Sequence, residues 1–202
     1  MTDFSNTPTR VTDKGMLLFF LGFGTYSAVA LTLSATGVFT ALNTNIFPAV
    51  VTMATIGLTL SYFLVPSIQA FAQRLGPYGL ASFHVWRIPA ALTFLYYGSQ
   101  GLLPDTFVNL AGWGDMLAGV LAIGIFLLPR AAKTITGFHL IGMADFIVAV
   151  GTGIVLNAID PTSMANVLLM PIAIIPLVGV PLSGATHIAA LHMLKTGKAK
   201  ID

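Results

Sequence analysis

Residues 163–195 read SMANVLLMPIAIIPLVGVPLSGATHIAALHMLK, an apolar run with prolines at 171, 176 and 181, a small-residue patch from Ser183 to Thr186, and then His187 and His192. An unbroken helix over that run would rise about 45 Å, against a hydrocarbon slab about 30 Å thick. The segment therefore has to tilt, break or begin at the membrane surface. Each proline removes a backbone donor and crowds the preceding turn, and freed carbonyls are tolerated at membrane depth only against protein or water. The reading is a proline-broken last helix that faces its neighbours rather than lipid, within an all-α bundle.

Composition supports this outward from the stretch. Of the 202 residues, 56% are hydrophobic and 8% charged, where a soluble domain carries about 25% charged residues. Such a chain reads as a polytopic membrane protein whose first partner is the lipid bilayer. Glutamate is absent and acidity rests on seven aspartates, which excludes a Glu base or a Glu-x-x-His metal motif. Cysteine is absent as well, so disulfides, thiolate-held metals and iron–sulfur clusters are excluded. The sequence pI near 9.0 comes from scattered anchors, and no basic run is long enough to imply a nucleic-acid partner.

Apolar runs of spanning length lie at 16–40, 47–72, 80–100, 107–128, 138–157 and 164–194, which predicts six transmembrane helices in a single domain, residues 16–194. Residues 1–15 are polar and lack the short apolar core and small-residue exit of a signal peptide; they are expected to form a cytoplasmic N-terminal tail, and 195–202 a basic cytoplasmic C-terminal tail. With an even number of spans, Arg10, Lys14, Arg74, Arg130, Lys133, Lys195, Lys198 and Lys200 share one side, and the opposite loops hold only Asp105 and Asp160. By the positive-inside rule the basic side is the cytoplasm, so the expectation is a multi-pass inner-membrane protein with both termini cytoplasmic. The connections are short, which makes successive helices antiparallel neighbours. The two three-helix halves do not align residue by residue.

Two patterns are expected to be structural. Gly22, Gly24, Ser27 and Gly37 on the first helix, and Gly112, Asp115, Gly119 and Ala122 on the fourth, recur at helical spacing and would let backbones approach closely. Trp86, Trp113, Tyr78, Tyr96 and Tyr97 lie near predicted helix ends, where amphipathic rings anchor at the interface.

Ionisable groups inside spans are costly and mark function. Arg87, Asp145 and His187 each lie eight residues from the predicted cytoplasmic end of their helices, roughly 12 Å in at 1.5 Å per residue. Three groups on three helices thus share one level. An unpaired charge there would cost several kcal/mol, which predicts a buried Arg87–Asp145 pair with His187 beside it. His84 precedes Arg87 by one turn on the same face, while His139 and His192 open and close their helices and are expected to bond to headgroups or helix-end carbonyls. Asp115, counted 15 residues from Arg130, is expected near the midplane with no basic residue at its height, either neutral or bonded to a hydroxyl or backbone group.

These residues admit three functional classes. A small proton-linked transporter or permease-like protein would use Arg87 to bind an anion, and Asp145, His187 or Asp115 to carry a proton. A redox protein binding haem b would take His84 and His187 as axial ligands, and a mononuclear metal site would add Asp145 to them. A non-catalytic accessory subunit would bind pigment or lipid and dock on a larger membrane complex or a second copy of itself. Retinal is excluded because no span contains a lysine.

The runs HVWRIPAALTFLYYGSQGLLPDTF (84–107), AGWGDMLAG (111–119) and VPLSGATHIAALHML (180–194) resemble a group of small uncharacterised six-helix bacterial inner-membrane proteins. These carry an arginine at the start of one helix, a Gly-Leu-Pro turn, a Gly-Asp-bearing next helix and a late histidine. The likeness rests on Arg87, Gly101, Pro104, Gly112, Asp115 and His187. It implies fold and location and brings no activity with it.

Overall fold

The computed structural model describes residues 7–42 and 45–198, and among them every regular element is helical. The helices are α1 (Thr7–Ala35), α2 (Val38–Ala41), α3 (Ile46–Leu64), α4 (Pro66–Phe83), α5 (Arg87–Ser99), α6 (Asp105–Phe107), α7 (Trp113–Gly124), α8 (Ala132–Ile159) and α9 (Val180–Lys195). Short 3-10 turns cover His84–Trp86 and Ala165–Leu168, and π-helical turns cover Val108–Gly112 and Ile175–Gly179. Among the described residues, five helices are long and apolar enough to cross a membrane: Arg10–Ala35, Ile46–Leu64, Asp105–Gly124, Ala132–Ile159 and Ile175–Lys195.

Several boundaries differ from those expected, and four of the differences have a clear local reading. Helix α1 already begins at Thr7, so residues 7–15 are helical; residues 1–6 and 199–202 lie outside the described residues. The run expected as one span over 47–72 stops at Leu64, because the Pro66 ring disfavours helical backbone at Val65, which is extended (φ −111°, ψ 101°). Within α4, Gly76 takes φ 66° and ψ 173°, a conformation open to glycine alone, and a second helical course starts at Pro77. That course continues through the 3-10 turn into α5. The last run is helical only from Ile174, with Pro176 in the π-helical turn and Pro181 in the first turn of α9.

Helix α9 is the centre of the bundle. Of its candidate span 61% is buried, against 6% for that of α1, and α3, α4 and α8 pack around it. Its buried face is made of Ser183, Gly184, Ala185, Thr186, Ala189 and Ala190, small enough for neighbouring backbones to come close. A Cβ on Gly184 would stand 2.7 Å from the Phe146 ring and 3.0 Å from Thr55. Helix α7 packs between α5 and α8, and α1 rests on α4. Large apolar side chains such as Phe20, Leu64, Leu127 and Ile147 face outward.

The small-residue pattern divides in two. Gly119 and Ala122 on α7 do sit in contacts: Ala122 is fully buried, and a Cβ on Gly119 would approach the Ile88 backbone nitrogen to 2.9 Å. On α1 the pattern mediates no such approach, because Gly22 and Gly24 face open space and Gly37 ends a helical segment at φ 74°. Two expected interface anchors also lie inside. Tyr78 is buried, with its hydroxyl accepting from the Ala131 backbone N–H (3.0 Å), and Trp86 packs against the core. Trp113 and Tyr96 remain exposed.

Candidate functional site

The Gly76 break and the 3-10 turn at His84–Trp86 set the site. They re-aim the chain so that Arg87, the first residue of α5, enters the bundle between α7 and α8. Its Nε donates to Asp115 Oδ1 of α7 at 2.5 Å and its Nη2 donates to Asp145 Oδ2 of α8. Arg87 and Asp115 are buried, and 12% of the Asp145 side chain is exposed. One guanidinium thus holds two carboxylates, a fork-like arrangement that a point-like ammonium cannot reproduce.

Asp115 therefore departs from expectation, since a basic residue does stand at its height. The depth count from Arg130 failed because helix α7 ends at Gly124, and the residues between are not helical and do not rise 1.5 Å each. Glycine makes the approach fit. A Cβ on Gly114 would overlap the Asp145 carboxylate, and one on Gly119 would crowd the backbone that carries Arg87.

Beside Arg87 lies a cavity of about 100 Å³, lined by Phe47, Phe94 and Phe107 and also by Trp86, Arg87, Asp115 and Ser183. The rest of its lining is mostly apolar, with Thr52 and Asn157 as further polar members. Three buried polar atoms of the residues there have no hydrogen-bond partner: Trp86 Nε1, Arg87 Nη1 and Ser183 Oγ. Two of them are groups that can only donate.

One helical turn toward the start of α5's course lies a second cluster. His84, His139 and His187 are all fully buried, and one ring nitrogen from each lies within 4.8 Å of the others. His139 Nδ1 is 3.0 Å from His187 Nδ1, and His139 Nε2 donates to the Pro77 carbonyl at 3.1 Å, the carbonyl presented by the α4 break. His84 Nε2 lies 3.1 Å from Thr186 Oγ1, and the His84 and His187 rings stack at 3.9 Å between centroids. A Cβ on Gly142 would overlap the His187 ring, so that glycine is the notch in which the ring lies.

The sequence expectations meet this geometry unevenly. Arg87, Asp115 and Asp145 come together; His187 does not touch them and instead joins His84 and His139. His139, expected at the interface, is fully buried, and His192 bonds to the Tyr62 hydroxyl at 2.8 Å instead of a headgroup or carbonyl. Asp145 belongs to Arg87, so the metal set of His84, His187 and Asp145 is replaced by one with His139 in third place. A haem between His84 and His187 does not fit: rings stacked face to face at 3.9 Å leave no slot for a macrocycle between their nitrogens. The spacing His139, Gly142, Asp145 on one helix carried the missing signal, because residues three apart share a face.

Neither a curated protein nor a solved structure matches the chain. A family model does match, over residues 45–195, which include both clusters and the cavity walls. The chain belongs to the family described as a domain of unknown function, DUF8737.

Proposed function

We propose that this chain is a six-span protein of the inner membrane, with both ends on the cytoplasmic side, that binds a small apolar molecule bearing an acceptor group and carries it in a proton-linked manner. The observation that carries the reading is a cavity whose lining includes Trp86, Arg87 and Ser183, each of which has a buried polar group left without a partner (Nε1, Nη1 and Oγ). Unmet buried donors are costly, and a carbonyl or carboxylate placed among them would remove that cost. The volume sets an upper scale, since at about 100 Å³ it is smaller than the dry apolar cavity of about 150 Å³ that holds benzene. The ligand class is thus an apolar body no larger than one ring, with an acceptor head.

The sixth span in this reading is the helical course from Pro77 to Ser99, which rises about 35 Å. Orientation is supported by where the basic residues gather: Arg74 pairs with Asp13 at 3.3 Å, and Arg130 stands over the Tyr78 ring at 5.3 Å. Proton linkage is supported by the formal charge of the centre. Two carboxylates on one guanidinium leave one negative charge in excess, which a single proton balances.

The test uses Trp86 as reporter. In a Trp113→Phe background it is the one remaining tryptophan, and its fluorescence is titrated with cyclohexanecarboxylate, cyclohexanone and methylcyclohexane. Saturable change is expected for the two acceptor-bearing probes and is lost in Ala111→Phe, which fills the cavity. Proteoliposomes should then take up cyclohexanecarboxylate faster than protein-free vesicles under an inward proton gradient. Equal responses to all three probes, or flux unchanged by Ala111→Phe, would overturn the reading.

A further inference from the structure

We propose that His84, His139 and His187 form a binding site for one divalent first-row transition ion, separate from the cavity and independent of its ligand. The first argument is the donor set. Three imidazoles from α4's end, α8 and α9 converge with ring nitrogens within 4.8 Å, fully buried. An all-nitrogen set without thiolate or carboxylate suits zinc, cobalt, nickel or copper and disfavours magnesium or calcium.

The second argument is the hydrogen bonds around the rings, which assign their tautomers. A carbonyl only accepts, so His139 Nε2 carries the proton toward Pro77 and Nδ1 is left with a bare lone pair. Thr186 Oγ1 gives its single hydrogen to the Leu182 carbonyl at 2.7 Å, and so accepts from His84 Nε2–H. His84 Nδ1 is then bare too, and it has no partner. His139 Nδ1 accepts from His187 Nδ1–H, which leaves His187 Nε2 bare and likewise without a partner. Metal-binding histidines are held as His84 and His139 are, one nitrogen tied to a hydroxyl or carbonyl and the other left for the ion. Two orphaned buried lone pairs in one cluster are what a cation would satisfy.

Loading has one geometric requirement: stacked His84 and His187 cannot both aim in-plane lone pairs at a single ion, so the His187 ring must turn. Gly142 carries no Cβ to stop that turn, whereas one there would already overlap the ring. In turning, His187 gives up its Nδ1–H bond to His139 Nδ1, 3.0 Å between nitrogens, and leaves His139 Nδ1 free for the ion.

The experiment strips purified full-length protein with a chelator, reloads it with cobalt or zinc alone, and reads bound metal by mass spectrometry and cobalt by its visible d–d absorption. Expected is one ion per chain with the strong absorption of tetrahedral nitrogen coordination. His84→Ala, His139→Ala and His187→Ala each lower affinity at least tenfold, Gly142→Ala does the same through the His187 ring, and His192→Ala leaves binding intact. If a histidine variant fails to fold, zinc-dependent thermal stabilisation of the wild type, absent with magnesium, decides instead. Folded wild type that takes up no ion, or uptake unchanged when all three histidines are replaced, overturns the proposal. Cavity-filling Ala111→Phe should leave metal uptake unaltered, so failure here and failure of the transport reading are distinguishable.

Discussion

Gly114 and Asp145 stand so close that a Cβ on the glycine would overlap the aspartate's carboxylate. This contact between α7 and α8 is what allows one carboxylate from each helix to reach the same guanidinium. Gly114→Ala must push Asp145 off Arg87 or part the two helices. Overpacking of this kind costs about 1–3 kcal/mol. By contrast Gly22→Ala and Gly24→Ala, which face open space, should be neutral or stabilising by up to about 1 kcal/mol, since alanine is the better helix former. Thermal midpoints in detergent test the pair; equal losses at Gly114 and Gly22 would contradict the packing described.

Arg87 satisfies two acids, so the three members of the centre are not equivalent. Arg87→Met strands two buried carboxylates and should cost about 3–5 kcal/mol, the loss typical of breaking a buried pair. Asp145→Asn leaves the Asp115 pair in place and should cost less. Arg87→Lys should not rescue, because one ammonium cannot fork between α7 and α8. Replacing all three by Met and Leu removes every unpaired charge and should recover most of the stability while abolishing response to acceptor-bearing probes. Folded yield and melting temperature across this series are the measurement, and a fully stable Arg87→Met would refute the shared role.

How much of this was legible follows from which signals are local. Apolar run lengths mark the helical bundle, and the cost of burying ions singles out Arg87, Asp115, Asp145 and His187 in the sequence. Depth counting then went wrong at Asp115, because it assumed helix up to Arg130 where the chain is irregular after Gly124. Azimuth was the second missing quantity. Residues at one level can face different neighbours, and His187 faces His139 and His84 across the Gly142 notch instead of the Arg87 pair. The α1 glycines failed for a related reason: helical spacing defines a face but not whether another helix covers it.

Outside the spans, Asp160 closes α8 with its carboxylate accepting from Thr162 Oγ1 at 2.6 Å and Thr162 N–H at 3.1 Å. The Thr162 hydroxyl, chiefly, holds its pKa below the usual aspartate value, about 3.9 when unperturbed. The sign follows from linkage: the depressed folded value means the turn's contribution is present above pH 3.9 or so and is lost as pH falls through the lower folded value. NMR titration should place the Asp160 midpoint below that of a model peptide, with Thr162→Val moving it back up. A midpoint unchanged by Thr162→Val would disprove this assignment.

Trp86 lies against Gly179, the last residue of the π-helical turn, and a Cβ there would overlap the indole's six-membered ring. That turn and the 3-10 turn carrying Trp86 are therefore fitted to one another, and both line the cavity, through Pro176 and Trp86. Gly179→Ala should drive the indole out of its seat and admit water beside it. In the Trp113→Phe background, emission from Trp86 should shift to the red, and binding of cyclohexanecarboxylate should weaken by tenfold or more. The histidine triad does not include this contact, so cobalt uptake should persist in the same variant. Unshifted emission with intact probe binding would show that the two turns are not coupled and that the cavity does not depend on Trp86.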